Sequence, residues 1–395
     1  MRPAMPSRKD PILKMKAANQ EKTVMIIAGE ASGDMHGATL VREMLKCNPA
    51  LKFYGIGGNK LRREGVELLA DAADMAVVGL TEVIFKLGGI LKIMTLMKKS
   101  MDERRPDLVI LIDYPDFNLP LAKAAHKRGI KVFYYISPQV WAWRRGRIKQ
   151  IKKTVNKMAV ILPFEVETYR EKGFEANYVG HPLLDMVKTN SSKQDSRKKN
   201  GLAEDKITIG ILPGSRMSEI KKLMPELVRA TQILKREIPD AQFVLPLADT
   251  LDETIITEYI SGADVQIKII SGHTYDVITC CDLVLVASGT ATLETALLGV
   301  PMIVIYKISA LSYFIGNLII DVKNISLVNI IAGKTVVPEL IQSEASGAQI
   351  AAEALSILKN RNKRQEMINR LQSIRSRLGE PGAARRAAQI AIDML

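Results

Sequence analysis

Cysteine and histidine are scarce in this 395-residue chain, which removes most of the metal and redox chemistry it could carry. Its three cysteines, Cys47, Cys280 and Cys281, have neither metal-site spacing nor a disulfide framework, so a reducing compartment fits. The adjacent Cys280-Cys281 pair closes an apolar stretch and reads as core packing. The four histidines (His36, His126, His181 and His273) form no ligand cluster, so no bound metal and no cofactor is expected. Aromatic residues make up only 5% of the chain, and no RNA- or DNA-binding motif is present, which argues against a nucleic-acid partner. Long apolar runs are missing too. Charges interrupt each one, and even Ile308 to Ile320 is too short to span a bilayer. The segment Met1 to Lys22 is basic and Pro-containing but lacks the apolar core of a signal peptide, so residues 1–22 read as a basic, flexible tail.

What the chain does have is positive charge and a repeating α/β pattern. The net charge of +14 asks for an anionic partner: nucleic acid, a phospholipid surface or a phosphorylated substrate. The length suits two domains. Continuous apolar runs such as Thr23–Ala28, Lys52–Ile56, Asp107–Asp113, Lys131–Ile136 and Lys157–Leu162 are the strands of a parallel sheet covered on both faces. A polar stretch from Thr189 to Asp205 marks a surface excursion at or just after a domain boundary. A second series follows: Lys206–Leu212, Gln242–Leu245, Gln266–Ile270, Asp282–Val286 and Pro301–Ile305. The expected fold class is α/β, with two Rossmann-like doubly wound domains facing across a cleft. In such sheets ligands sit beyond the carboxyl ends of the strands.

The strand-end loops carry the chemistry. Leu285-Val-Ala-Ser-Gly-Thr-Ala-Thr-Leu-Glu294 runs from a buried strand through Ser288-Gly289-Thr290 into a helix. Free N–H groups and a positive dipole end there suit a diphosphate, and Glu294 could accept from a ribose. Turn and cap formation is the structural alternative for the same residues. Leu212-Pro-Gly-Ser-Arg216 is a second phosphate cradle or a capping turn, with Arg216 able to clamp an anion through two N–H groups. Gly29-Glu-Ala-Ser-Gly-Asp34 puts carboxylates at a helix start. In Asp113-Tyr-Pro-Asp-Phe-Asn118 a carboxylate ends an apolar strand, where burial raises its pKa toward that of a general base. Trp141 and Trp143, two residues apart, cannot share a helical face and favour a binding loop, with Arg144, Arg145, Arg147 and Lys149 beside it. Asn329, in Ser326-Leu-Val-Asn329, is either a satisfied core amide or a substrate contact.

Taken in order, these blocks, with Val179-Gly-His-Pro182, resemble the lipid-A-disaccharide synthase family over roughly residues 23 to 340. Gly-Glu-Ala-Ser-Gly-Asp together with Pro-Gln-Val-Trp-Ala-Trp is the specific part, and only the N-terminal tail departs from the family pattern. The resemblance implies a GT-B glycosyltransferase. Its acceptor domain would be residues 23–187 and its UDP-sugar domain 188–365, with helices in 366–395 crossing back to the first domain. It implies transfer from UDP-2,3-diacylglucosamine to 2,3-diacylglucosamine 1-phosphate, giving a β-1,6 disaccharide 1-phosphate and UDP. The donor bond is α, so the reaction inverts and needs one base and no metal. Asp113 matches that base. Arg216, Ser288, Gly289, Thr290 and Glu294 match the UDP side, and Glu30, Ser32, Asn118, Trp141 and Asn329 match other substrate contacts.

Acylated, anionic substrates imply work at an anionic membrane surface, on the cytoplasmic face of the inner membrane. Thr81 to Lys99 combines Phe85, Leu87, Ile90 and Leu91 with Lys86, Lys92, Lys98 and Lys99, a composition that fits an interfacial, acyl-binding element. An amphipathic core helix is the other reading of that segment. A homodimer is left open. Two rival functions remain on the sequence alone: an enzyme acting on a soluble UDP-sugar, such as a UDP-N-acetylglucosamine 2-epimerase, and a basic RNA-binding protein. The second explains the charge but neither Asp113 nor the two phosphate turns.

Overall fold

The computed structural model describes residues 21–75, 80–141, 144, 146–189, 191–248, 251–308 and 324–395. The chain divides into two compact units. One runs to Pro182 and takes back Gly382–Leu395, and the other is Leu183–Pro381.

The first unit is built on seven parallel strands: β1 (Lys22–Ala28), β2 (Leu51–Gly57), β3 (Glu67–Asp71), β4 (Leu108–Ile112), β5 (Lys131–Tyr135), β6 (Lys157–Val160) and β7 (Asn177–Tyr178). Their order is β3-β2-β1-β4-β5-β6-β7, so the chain reverses direction across the sheet after β3. Alternate residues of each strand feed different cores, because side chains alternate across a pleated sheet. Met25, Ile27, Val109 and Leu111 join one apolar cluster, and Val24, Ile26, Leu108, Ile110 and Ile112 join the other. Both faces are buried, which is why these strands read as unbroken apolar runs.

Helix α1 (Ala31–Cys47) covers the second cluster through Leu40, Val41 and Met44. The first cluster is covered by α2 (Leu80–Arg104), α3 (Pro115–His126), α4 (Arg147–Thr154) and α5 (Glu165–Arg170).

In the second unit β8 (Thr208–Leu212), β9 (Gln242–Leu247), β10 (Ile267–Ser271), β11 (Leu283–Ala287), β12 (Met302–Tyr306) and β13 (Glu339–Ile341) form a parallel sheet ordered β10-β9-β8-β11-β12-β13. Helices α6 (Met217–Glu237), α7 (Thr290–Leu297), α8 (Leu327–Ala332), α9 (Gly347–Lys359) and α10 (Arg361–Arg377) belong to this unit. Helix α11 (Ala383–Met394) belongs to the first unit, where Ala387, Ala388, Ala391 and Met394 enter the second apolar cluster. The return is therefore shorter than the expected 366–395. Most of α10 lies within 366–395 but stays behind, because it buries Met367, Leu371 and Ile374 and its Arg377 Nη1 donates to Ile331 and Ala332 carbonyls, each at 3.1 Å.

Among the described residues, no helix is long and apolar enough to cross a membrane. Helix α2 divides between the two readings of its segment. Met94, Met97 and Met101 are buried and Ile90 packs on the core, so Ile90 is a packing residue rather than an acyl contact. Leu91 and Leu96, by contrast, are 62% and 40% exposed. The side chains of Phe85 and Leu87 lie outside the described residues.

Candidate active site

In the first unit, β1, β4 and β5 lie side by side in register (Ala28 beside Ile112, Ile112 beside Tyr135), so the loops that leave them start from one rim. Glu30 caps the backbone start of α1 without a side-chain capping bond, and Ser32 follows in the first turn; both are exposed. Asp34 is different. Its buried carboxylate accepts from Gly58 N–H at 2.7 Å, Leu61 N–H at 3.0 Å and Lys60 N–H at 3.0 Å, and so pins the loop after β2.

At the end of β4 the backbone turns through two consecutive left-handed residues, Asp113 and Tyr114, both with φ of 44°. Such residues cost about 1–2 kcal/mol each, so something must hold them. Asn118 does much of it. Its Nδ2 donates to the Ile112 carbonyl at 3.1 Å and to the Asp113 carbonyl at 2.7 Å. Tyr134 Oη donates to the same Asp113 carbonyl at 2.6 Å, and Tyr114 Oη donates to Met75 O at 3.1 Å. Gly29 has to be glycine beside this turn, because a Cβ there would lie 2.6 Å from Tyr114 Cδ1.

The result holds Asp113 in a left-handed turn directly after the last residue of β4. Burial, and then the neighbouring charge of Glu30, raise its pKa to about 6, against the Tyr114 N–H that lowers it. Glu30 and Asp113 are thus brought together. Asn118 is fully buried, its two N–H groups brace the Asp113 turn, and its Oδ1 has no partner among the described residues.

Trp141 packs edge-on against Phe164 at 5.2 Å, and its buried Nε1–H has no acceptor among the described residues. Trp143 and Arg145 lie outside the described residues. Arg144 (at 3.1 Å) and Arg147 both pair with Asp116, so these two cations neutralise a carboxylate on α3. One group, Glu165, escapes a reading of motifs. Glu165 is buried, and its pKa is raised to about 7 by burial first. Burial first lowers the pKa of His36 to about 4, with Lys60 adding to the shift, and that of His181 to about 3, with His36 adding. A carboxylate just after the apolar run Met158–Leu162 was the available signal for Glu165.

In the second unit β8 and β11 are neighbours, with Leu212 beside Val286, so the two phosphate-cradle candidates leave adjacent strand ends. Gly214 takes φ of 105° and leaves room for Glu219, whose Oε2 accepts from Ser215 N–H at 3.1 Å. The Arg216 side chain is 68% exposed and reaches Glu219 only at 3.6 Å. Ser288 N–H donates to Ile305 O at 3.0 Å, Gly289 is the N-cap of α7, and Thr290 is its first residue. Glu294 accepts from Tyr275 Oη at 3.1 Å, and burial raises its pKa despite that bond.

Asn329 resolves toward the core reading. Its Oδ1 accepts from Val336 and Val337 N–H at 2.7 and 3.0 Å. Its Nδ2 donates to Val337 O at 2.9 Å and Glu339 Oε1 at 2.7 Å, so the amide has no hydrogen-bonding capacity left for a ligand.

Comparison with known proteins adds an independent line. Residues 24–393 match the family model described as Lipid-A-disaccharide synthetase. A lipid-A-disaccharide synthase of Syntrophus aciditrophicus is 56% identical over 375 residues, covering 95% of this chain and 98% of its own. Among solved structures, the UDP-GlcNAc 2-epimerase from Neisseria meningitidis bound to UDP-GlcNAc superposes with a TM-score of 0.61 at 13% identity, covering 94% of this chain and 98% of its own. The calicheamicin glycosyltransferase CalG4 gives 0.59 at 14% identity, covering 94% and 98%. At those identities the structural likeness speaks to the fold alone, which is the GT-B architecture of two Rossmann-like domains.

Proposed function

The chain belongs to the lipid-A-disaccharide synthase family of glycosyltransferases, and we propose that it joins UDP-2,3-diacylglucosamine to 2,3-diacylglucosamine 1-phosphate with inversion at the anomeric carbon. The observation that carries this reading is Asp113, a carboxyl held off a strand end by a strained turn, with a pKa near 6. A base of that strength is ionised at neutral pH and can still take a proton from the acceptor 6-hydroxyl as the hydroxyl attacks. A single displacement with one base turns the α-linked donor into a β-linked product.

The second unit supplies the nucleotide end. Arg216 and the N–H groups at the start of α7 disperse the charge of the departing UDP, and Glu294 accepts from the ribose. On this scheme charge dispersal comes from protein donors, without a metal. The acyl chains and the net charge of +14 favour work at an anionic lipid surface, with Leu91 and Leu96 as the apolar contacts. The test is direct: enzyme, both lipid substrates and EDTA, with UDP and the disaccharide 1-phosphate read by mass spectrometry and the new linkage read by NMR. An α-linked product, or no product until Mg²⁺ is added, would refute the corresponding part of the scheme.

A further inference from the structure

Next to the base, the same rim carries a carboxyl that this scheme leaves idle. Glu165 opens α5, directly after the loop that leaves β6, and is 2% exposed. Ser137 Oγ, on the loop that leaves β5, donates to its Oε1 at 2.5 Å. Its Oε2 accepts from the N–H groups of Leu162 at 2.9 Å and Ile161 at 3.2 Å. One buried side chain thus ties two strand-end loops together. The edge-on contact of Trp141 with Phe164 joins the same two loops a few residues further on.

Asp113 is one strand away. Tyr135, two residues before Ser137, lies in register with Ile112, and Tyr134 donates to the Asp113 carbonyl. A loop fixed at Ser137 therefore has a fixed position relative to the turn that aims Asp113.

We propose that Glu165 is a positioning residue for the transfer, acting through Ser137 to hold the Ser137–Trp141 loop beside the Asp113 turn so that the acceptor sugar meets both in register. This rests on the reading of Asp113 as the base. The clamp works in either protonation state. When Glu165 is ionised, Ser137 donates to it. When it is protonated, Glu165 donates to Ser137 Oγ, and the serine hydroxyl turns to the Pro138 carbonyl at 3.3 Å. The groups around the carboxyl are Ser137 on the β5 exit, Asp113 on the β4 exit, Tyr169 one turn along α5 and Tyr178 on β7, which also feels Arg386 of α11. Tyr169 and Tyr178 hydroxyls stay protonated at neutral pH, so Asp113 is the charge that Glu165 feels.

The experiment compares Ser137→Ala, Glu165→Ala and Glu165→Gln with Asp113→Asn, measuring kcat and KM for the acylated acceptor, UDP affinity by calorimetry and thermal melting. Glutamine can keep the clamp, its Nε2 donating to Ser137 Oγ and its Oε1 accepting both N–H groups. A loop displaced by about 1 Å costs on the order of 10²-fold in rate. Ser137→Ala and Glu165→Ala should therefore each lose at least about tenfold in kcat with UDP affinity unchanged, and Glu165→Gln should recover to within about fivefold of the parent. Ser137→Ala removes one hydroxyl and leaves Glu165 its two backbone donors, so it keeps the proposal testable where Glu165→Ala does not fold. Near-parental kcat for a folded Ser137→Ala, or a Glu165→Gln variant as impaired as Glu165→Ala, would overturn the proposal while Asp113→Asn remains inactive. An active Asp113→Asn would instead remove the base assignment, and the proposal with it.

Discussion

Replacing Asp113 by Asn should make the protein slower and more stable at once, and the two effects come from the same geometry. Burial and the charge of Glu30 raise the Asp113 pKa from 3.8 to about 6. A carboxyl whose folded pKa lies above its unfolded value binds its proton more tightly in the fold. The stability tied to that proton is full below about pH 4 and is lost as pH rises through about 6. A gap of about two units corresponds to roughly 3 kcal/mol, which the residual hydration of a half-buried carboxyl trims to about 1–3 kcal/mol. Asparagine has the same shape and no charge, so at pH 8 the variant should gain that amount and melt several degrees higher. At pH 4 the two proteins should melt together. Turnover should fall by at least about 10²-fold at pH 8, and kcat/KM of the parent should rise with pH through about 6. Calorimetric melting at the two pH values, alongside a UDP-release assay, reads all of this. Near-parental turnover would refute the base assignment. A lower melting point at pH 8 would refute the claim that this carboxylate is held at a cost.

Two further outcomes test the second unit and the lipid contact. Arg216→Ala and Glu294→Ala should each weaken UDP binding by roughly 1.5–3 kcal/mol in titration calorimetry, the scale of a charge-assisted hydrogen bond; unchanged affinity would leave both as capping residues. Leu91→Ser combined with Leu96→Ser should reduce sedimentation with anionic vesicles and turnover of long-chain substrate together while leaving UDP affinity alone, and raising salt should release the parent protein from vesicles. Vesicle binding that survives both serine changes would move the contact to another face.

The central strands were legible in the sequence, and of the four edge strands only β10 was. β1, β2, β4, β5 and β6, and later β8, β9, β11 and β12, are apolar runs because both faces of a parallel sheet are covered, and the edge strand β10 still shows through Ile267, Ile269 and Ile270. β3, β7 and β13 lie at or next to sheet margins, run to five, two and three residues, and contain no fully buried position. Short, half-covered edge strands carry too few apolar residues to register as a pattern. The resemblance puts most of helix α10 in the returning segment, and the charge pattern of the helix says nothing about which apolar surface Met367, Leu371 and Ile374 meet. Glu165 escaped because an acid in the first turn of a helix is an ordinary N-terminal residue, and only the fold shows it facing Ser137.

Among the motif residues, sequence could name the polar side chains but not how each is spent. Asp34, Asn118 and Asn329 stand in motifs that look like ligand contacts, yet groups of the same unit engage them: three backbone N–H groups bind the Asp34 carboxylate, two carbonyls take both donors of Asn118, and backbone groups with Glu339 take up the whole amide of Asn329. A buried polar group must be paired, so in the interior a side chain that looks reactive is usually already occupied. Asp113, Arg216 and Glu294 are the contrast. Asp113 has one local N–H, Arg216 a long contact to Glu219, and Glu294 a single tyrosine hydroxyl. Each stands at or just beyond a strand end with most of its hydrogen-bonding capacity unspent. That surplus, which residue type alone cannot reveal, is what separates the groups that can meet a substrate from the groups that aim them. Asn118 and Asp113 show the division most clearly, because the amide gives up both donors to hold the turn that leaves the carboxylate available.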